Sequence, residues 1–230
     1  MPDRTHEDLR SYGRRRARVP STRQQALWKD TLPRVAVPSD PDALGDLRAL
    51  FAPPVRDVWL EIGFGGAEHL VWQATKHADV GLIGCEPFED GVIKLLSAIE
   101  SECLTNVRVH AGDARPLLRA LPEGSIGRVF ILFPDPWPKK RHHKRRLVSA
   151  ATLAEIARVL SPAGELRVAT DVAEYACVIL DAASHNAGLR WTASGPDDWR
   201  RRPRDWPQTR YEAKAIAAGR CCYFFRFERG

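Results

Sequence analysis

No apolar run in this 230-residue sequence approaches the roughly 20 residues that a membrane span requires. The first residues, Met1 to Arg18, are polar and basic with no apolar centre, so no secretory leader is expected there. Cysteine is scarce and odd in number: Cys85, Cys103, Cys177, Cys221 and Cys222 include no C-x-x-C pair. That spacing argues against a zinc or redox motif. Cys85, Cys221 and Cys222 fall in apolar runs and are expected to be reduced and mostly buried. A structural disulfide is the minor reading, and no metal is expected. With 44% hydrophobic and 28% charged residues, the composition is that of an ordinary globular protein without a membrane anchor, expected in the cytoplasm.

What the chain does have is positive charge in clusters. The net charge is +6. Arg14, Arg15, Arg16 and Arg18 crowd the N-terminus, Lys139, Lys140, Arg141, Lys144, Arg145 and Arg146 fall within eight residues, and Arg200, Arg201, Arg202 and Arg204 form a third group. Three basic patches on a chain that also carries many carboxylates suggest a polyanion held at several points. Three solvated charged surfaces remain the alternative.

Residues 1–38 lack hydrophobic periodicity and read as a mobile basic arm, leaving a single domain over 39–230. Leu44, Leu47 and Phe51 predict a short helix over Asp42 to Phe51, stopped by Pro53-Pro54. Strands and helices then alternate. Strands are predicted at Val58 to Ile62, Val80 to Cys85, Val107 to Val109, Arg128 to Phe133 and Glu165 to Thr170. Helices are predicted at Ala67 to His77, Glu89 to Ser101, Ala114 to Ala120, Arg146 to Leu160 and Val172 to Asn186. Two late strands, Leu189 to Thr192 and Cys221 to Phe227, follow with no helix expected between their pairing edges. The pattern predicts an α/β fold: a Rossmann-like, doubly wound, seven-stranded sheet, mostly parallel with an antiparallel edge hairpin.

The first strand runs into Glu61-Ile62-Gly63-Phe64-Gly65-Gly66. Glycines at a strand's carboxyl end let backbone approach a ligand, although a structural turn is a competing reading. Counting from Gly63 and Gly65, the third position of a dinucleotide fingerprint is Glu68, whose charge would repel pyrophosphate. S-adenosylmethionine carries a sulfonium cation, and carboxylates near it are favourable. Glu61, Glu86 and Asp113 each come at the end of a successive strand, with Glu86 where an acid accepts ribose hydroxyls. That acid series points to S-adenosylmethionine.

The fourth strand ends in Phe133-Pro134-Asp135-Pro136-Trp137-Pro138-Lys139-Lys140. Three prolines around one Asp and one Trp make a stiff loop suited to holding a side chain for chemistry. Asp135-Pro136-Trp137 is similar to the loop of methyltransferases acting on exocyclic base amines, without its doubled proline. The longer run from Pro134 to Arg146 resembles the signature of bacterial tRNA (guanine-N7)-methyltransferases. Thr209-Arg210-Tyr211-Glu212 resembles that family's element before the last strand, and the likeness extends from about Val55 to Arg229. Pro87 stands where the family usually has an aliphatic residue and Lys214 where arginine is common.

The resemblance implies 7-methylguanosine formation at variable-loop position 46 of tRNA. It implies cofactor contacts from Glu61, Glu86, Asp113 and Asp135; the glycine turn adds Gly63 and Gly65, and the positive charge that methylation places on the purine makes Asp135 the expected catalytic residue. It implies substrate contacts from Lys139, Asp171, Thr209, Arg210, Tyr211 and Glu212. Guanine N7 has a free lone pair at neutral pH, so no proton need be removed before attack, and positioning can carry much of the rate. Asp135, Asp171 and Glu212 are three candidates for gripping the Watson–Crick edge. Trp137 and Tyr211 are candidates either for stacking or for core packing. An amine methyltransferase and a non-catalytic RNA-binding protein are the competing functions.

Overall fold

Apolar strands separated by helices assemble into one seven-stranded sheet in the computed structural model, which describes residues 19–230. The strands are β1 (Asp57–Ile62), β2 (Val80–Cys85), β3 (Val107–His110), β4 (Ile126–Leu132), β5 (Leu160–Thr170), β6 (Leu189–Trp191) and β7 (Tyr223–Arg229). Their order is β3-β2-β1-β4-β5-β7-β6. The first five are parallel; β7 runs antiparallel to both β5 and β6. Strand order reverses between β1 and β4, which opens a crevice at their carboxyl ends.

Helices cover both faces. α3 (Glu68–Lys76) and α4 (Glu89–Ser101) lie on one side; α5 (Ala114–Ala120), α6 (Ala150–Val159) and α7 (Ala173–Ser184) lie on the other. Successive strand residues point to opposite faces. Val58, Leu60 and Ile62 of β1 therefore join Leu117, Leu153 and Ile179, while Trp59 joins Leu70, Leu95 and Leu96. Removing a side chain such as Leu60, fully buried, is expected to cost about 2–5 kcal/mol. The alternation also puts Glu61 on the α3 side, with consequences for the site.

Several boundaries differ from expectation. The helix expected from Arg146 begins at Ala150, because Ser149 caps it by accepting the Thr152 N–H at 3.3 Å, while Lys140–Arg145 form a 3₁₀ turn. β5 starts at Leu160, so the Ser161-Pro162-Ala163-Gly164 turn becomes an irregularity within the strand: Ile126 pairs with Leu160 and Arg128 with Glu165. Ala163 takes φ 60° there. The helix expected over Asp42 to Phe51 is two 3₁₀ turns, Pro41–Leu44 and Leu47–Leu50, each begun by an aspartate cap. The late strands are not a simple hairpin. α8 (Asp197–Arg200) and α9 (Arg210–Ala217) separate them in sequence, and β7 inserts between β5 and β6. Cys221 precedes β7 and is exposed rather than buried; all five cysteines are free.

The arm expected over 1–38 is in part structured. Residues 1–18 lie outside the described residues. After them come α1 (Thr22–Ala26), a π turn (Leu27–Thr31) and α2 (Leu32–Val35). Ser21 and Gln24 form a reciprocal cap, Leu27 is buried beside the α4 side of the core, and the Thr31 hydroxyl bonds Glu100. The Val37 N–H then donates to the Val109 carbonyl at 2.9 Å, fastening the segment along β3. Leu27, with the partly buried Trp28, Leu32 and Val35 packed beside it, docks this short basic segment on the core. No helix among the described residues is long and apolar enough to cross a membrane.

Candidate active site

Beyond β1 the chain reverses through Gly63 and Gly65, at φ 75° and 55°, before entering α3. Only glycine takes that conformation without steric cost. Glu86 follows β2 directly and holds this turn: one carboxylate oxygen accepts the Gly65 N–H at 2.8 Å and the other the Phe88 N–H at 2.9 Å. Burial pushes the Glu86 carboxyl above the usual glutamate range, with the two N–H donors acting in the opposite sense. The negative charges of Asp135 and Glu61 reinforce the upward shift.

After β3, Asp113 caps α5 by accepting the Arg115 N–H at 2.9 Å and pairs with the same residue's guanidinium. Burial alone would raise its pKa, but the Arg115 bonds outweigh burial and hold Asp113 below the usual range. After β4, the proline-rich loop turns through Phe133 at φ 53° and Trp137 at φ 44°. Left-handed backbone at bulky residues costs roughly 1–3 kcal/mol each, and here it flanks Asp135 on both sides. Asp135 is exposed and makes no hydrogen bond or ion pair among the described residues. Finally, Thr209 caps α9, accepting the Glu212 N–H at 3.2 Å, and brings Arg210 and Tyr211 over the glycine turn. A Cβ on Gly65 would stand 3.2 Å from the Tyr211 ring.

These four loops and the start of α9 enclose a cavity of about 420 Å³ at the point where strand order reverses. A family model described as "Putative methyltransferase" matches residues 55–225. A tRNA (guanine-N(7)-)-methyltransferase from Rhodospirillum rubrum is 48% identical, with 100% of this chain and 91% of that protein covered. One from Roseobacter denitrificans is 43% identical with both chains fully covered. The chain belongs to the tRNA (guanine-N(7)-)-methyltransferase family. Among solved structures, one described as an antibiotic-related methyltransferase matches with TM-score 0.54 at 16% identity, covering 86% of this chain and 97% of its own. A 30S ribosomal A1408 methyltransferase from an uncultured bacterium matches with TM-score 0.54 at 14% identity, covering 84% and 96%. At these identities the likeness concerns the fold.

Of the residues singled out in this family member's sequence, Gly63, Gly65, Glu86, Asp113, Asp135, Arg210 and Tyr211 line the cavity. Glu61 does not. It is buried on the α3 side, 2.7 Å from Nδ1 of His69. Lys139 is exposed beyond the loop. Asp171 is bound to Arg220 at 2.7 Å, outside the cavity lining. Glu212 is buried and paired with Arg202 at 3.0 Å, and Thr209 serves as its helix cap. Arg145, Arg115, Phe88 and Leu147 line the cavity without having been singled out for it. Arg145 lies 5.0 Å from the centre of the Trp137 ring. A 3₁₀ turn aims it inward, which a run of six basic residues gives no means of distinguishing.

The cavity suits S-adenosylmethionine. Its volume lies in the range of small-molecule sites. Glu86 uses one acceptor position on each oxygen for backbone, and a carboxylate has about four in all, so ribose hydroxyls still find acceptors. Asp113 stands at the end of β3, where an adenine edge would lie, and Ile62, Phe88 and Phe133 supply apolar wall. Glu86 and Asp135 put negative charge where a sulfonium is stabilised and a pyrophosphate repelled.

Proposed function

We propose that this protein transfers the methyl group of S-adenosylmethionine to N7 of the variable-loop guanine of tRNA, position 46, using the sheet domain together with the segment of residues 19–38 docked on it. When bound, the donor supplies an electrophilic methyl on a sulfonium. Glu86, Asp113 and the Gly63–Gly65 turn would hold it, and the chemistry left to the protein is orientation and charge.

The observation that carries this reading is the state of the three candidate carboxylates. Asp171 and Glu212 are each committed to an arginine, whereas Asp135 stands in the cavity with neither oxygen bonded to any of the described residues. Guanine's Watson–Crick edge offers two parallel donors, N1–H and the N2 amine, which one carboxylate can accept together. Adenine presents an acceptor at that edge and would be refused. Methylation at N7 places positive charge on the purine, and the same carboxylate stabilises it. A base taken out of its stack needs an aromatic surface; Tyr211, 42% exposed above Gly65, and the half-buried Trp137 offer two. Lys139, Lys140, Arg141 and Lys144 are exposed beside the cavity mouth and suit phosphates. A cytoplasmic location follows from a tRNA substrate.

The test is incubation with labelled S-adenosylmethionine and matched tRNAs carrying guanine or adenine in the variable loop, with the product base identified by mass spectrometry. Label on guanine alone, recovered as 7-methylguanine, is expected. Equal labelling of both RNAs rejects the assignment, and recovery of 6-methyladenine points to amine methylation instead.

A further inference from the structure

Arg146 is the last of the six clustered basic residues, and its chain position suggests a sixth phosphate contact. Its surroundings say otherwise. It is 6% exposed. Nε donates to the Pro136 carbonyl at 2.8 Å, and Nη1 and Nη2 donate to the Glu174 carboxylate at 3.0 and 2.6 Å. Nη2 also lies 3.1 Å from Nε2 of His143, and the guanidinium covers the Tyr175 ring at 4.9 Å. Tyr175 is itself fixed, its hydroxyl oxygen accepting the Val148 N–H at 3.2 Å. Burial pushes that hydroxyl up to about 12, so it stays neutral.

We infer that Arg146 is a positioning residue that sets the Asp135 loop from behind and takes no part in holding RNA, an inference that rests on the reading of the Asp135 cavity given above. The loop's composition supplies the reason. Pro134, Pro136 and Pro138 have no N–H, and Phe133 and Trp137 are held in left-handed backbone. The Phe133 N–H ties the start of the loop to the Ala169 carbonyl at 2.7 Å, but the three prolines leave few donors to secure the rest through its own backbone. Pro136 follows Asp135 immediately, and a donor on its carbonyl fixes the Pro136–Trp137 peptide, one residue beyond Asp135, at the entry to the left-handed turn at Trp137. Arginine suits this because its planar fork reaches three acceptors in one plane while its face packs on an aromatic ring. The Glu174 end of the clamp belongs to α7, so the loop is referenced to the sheet domain and not to solvent.

The experiment compares wild type, Arg146→Ala, Arg146→Lys and Lys144→Ala in the full-length protein. Steady-state kinetics are read alongside tRNA binding over a salt series and S-adenosylhomocysteine binding by calorimetry. Arg146→Ala is expected to lower kcat about 10²-fold, as misplacement of a catalytic group does. Its tRNA affinity and salt slope should match wild type, and millimolar guanidinium, unlike ammonium, should restore part of the rate. Arg146→Lys should remain impaired, since an ammonium cannot fork. Lys144→Ala should instead reduce the salt slope by about one unit. Should Arg146→Ala fail to fold, Glu174→Gln, at a carboxylate 57% exposed, opens the clamp from the other side and should lower kcat several-fold with tRNA binding intact. A tRNA affinity loss with a reduced salt slope in Arg146→Ala, or unchanged kcat in it and in Glu174→Gln, overturns the inference. If wild type does not methylate tRNA, the reading of the cavity fails instead, and the inference about the loop is then judged by the binding measurements alone.

Discussion

Gly91, in the first turn of α4, lies so close to Gly65 that a Cβ built on it would stand 2.5 Å from the Gly65 carbonyl oxygen. The helix after β2 is thereby allowed to rest on the turn after β1, with Glu86 fastened between them. A backbone oxygen cannot swing aside as a side chain can. Gly91→Ala should displace the turn, at a cost of about 1–3 kcal/mol, and weaken S-adenosylhomocysteine binding. Thermal unfolding and calorimetry check both; a variant that binds as tightly as wild type refutes the contact's importance.

Glu86 gives a pH dependence whose sign differs between folding and binding. Its folded pKa lies above the unfolded value, so between the two the native state holds the extra proton. Its contribution to stability is therefore fully present below the unfolded value and is lost as pH rises through the raised one. Binding runs the other way, because only the ionised carboxylate accepts freely from ribose hydroxyls. Affinity for S-adenosylhomocysteine should fall on acidification at a higher pH than an ordinary glutamate would give. Glu86→Gln should flatten that profile, and an unaltered profile in the variant assigns the effect elsewhere.

Asp135 makes no hydrogen bond or ion pair among the described residues, so Asp135→Asn should leave the melting temperature within experimental scatter. Loss of the carboxylate facing developing charge should lower kcat by about 10²-fold or more. A rate near wild type would remove Asp135 from the catalytic role.

The exposed cations beside the cavity should behave as phosphate contacts. Neutralising Lys139, Lys140, Arg141 and Lys144 one at a time should weaken all tRNAs alike, each reducing the slope of log affinity against log salt by about one unit. A variant that discriminates among tRNA species at constant slope would instead be reading shape or sequence.

Glu61 and His69 form a buried pair, extended by Gln73, which lies 3.0 Å from the far imidazole nitrogen and donates to the Asp205 carbonyl at 3.1 Å. His69→Ala would strand a buried carboxylate, and a destabilisation of about 3 kcal/mol is expected. Because the chain of bonds reaches the segment ahead of α9, Gln73→Leu should in addition loosen the seating of Tyr211. Hydrogen exchange across residues 205–212 measures this; protection equal to wild type would confine the network's effect to stability.

The sequence by itself determined the alternation of strands and helices from β1 to α7, the glycine turn, the acids at strand ends and the stiff Asp135 loop, but not the helices before β1 or between the last two strands. Each is a local property: apolar runs of strand length, residues that permit or forbid particular backbone angles, and spacing along one element. Only the tertiary structure decided which of these side chains meet. Glu61 and Glu86 look alike along the chain, yet β1 is covered on both faces, so the pleat turns Glu61 toward His69 in α3 while Glu86, one residue past β2, turns to the cavity. Arg145 and Arg146 are adjacent, yet one reaches the cavity and the other is buried against Glu174 and Tyr175. Thr209 to Glu212 read as one substrate element, but a helical turn divides it: Arg210 and Tyr211 line the cavity, while Thr209 and Glu212 hold the helix to its own neighbours. Where both faces of the central strands are buried, hydrophobic pattern no longer marks a functional face, and the partners that mark it come from distant parts of the chain.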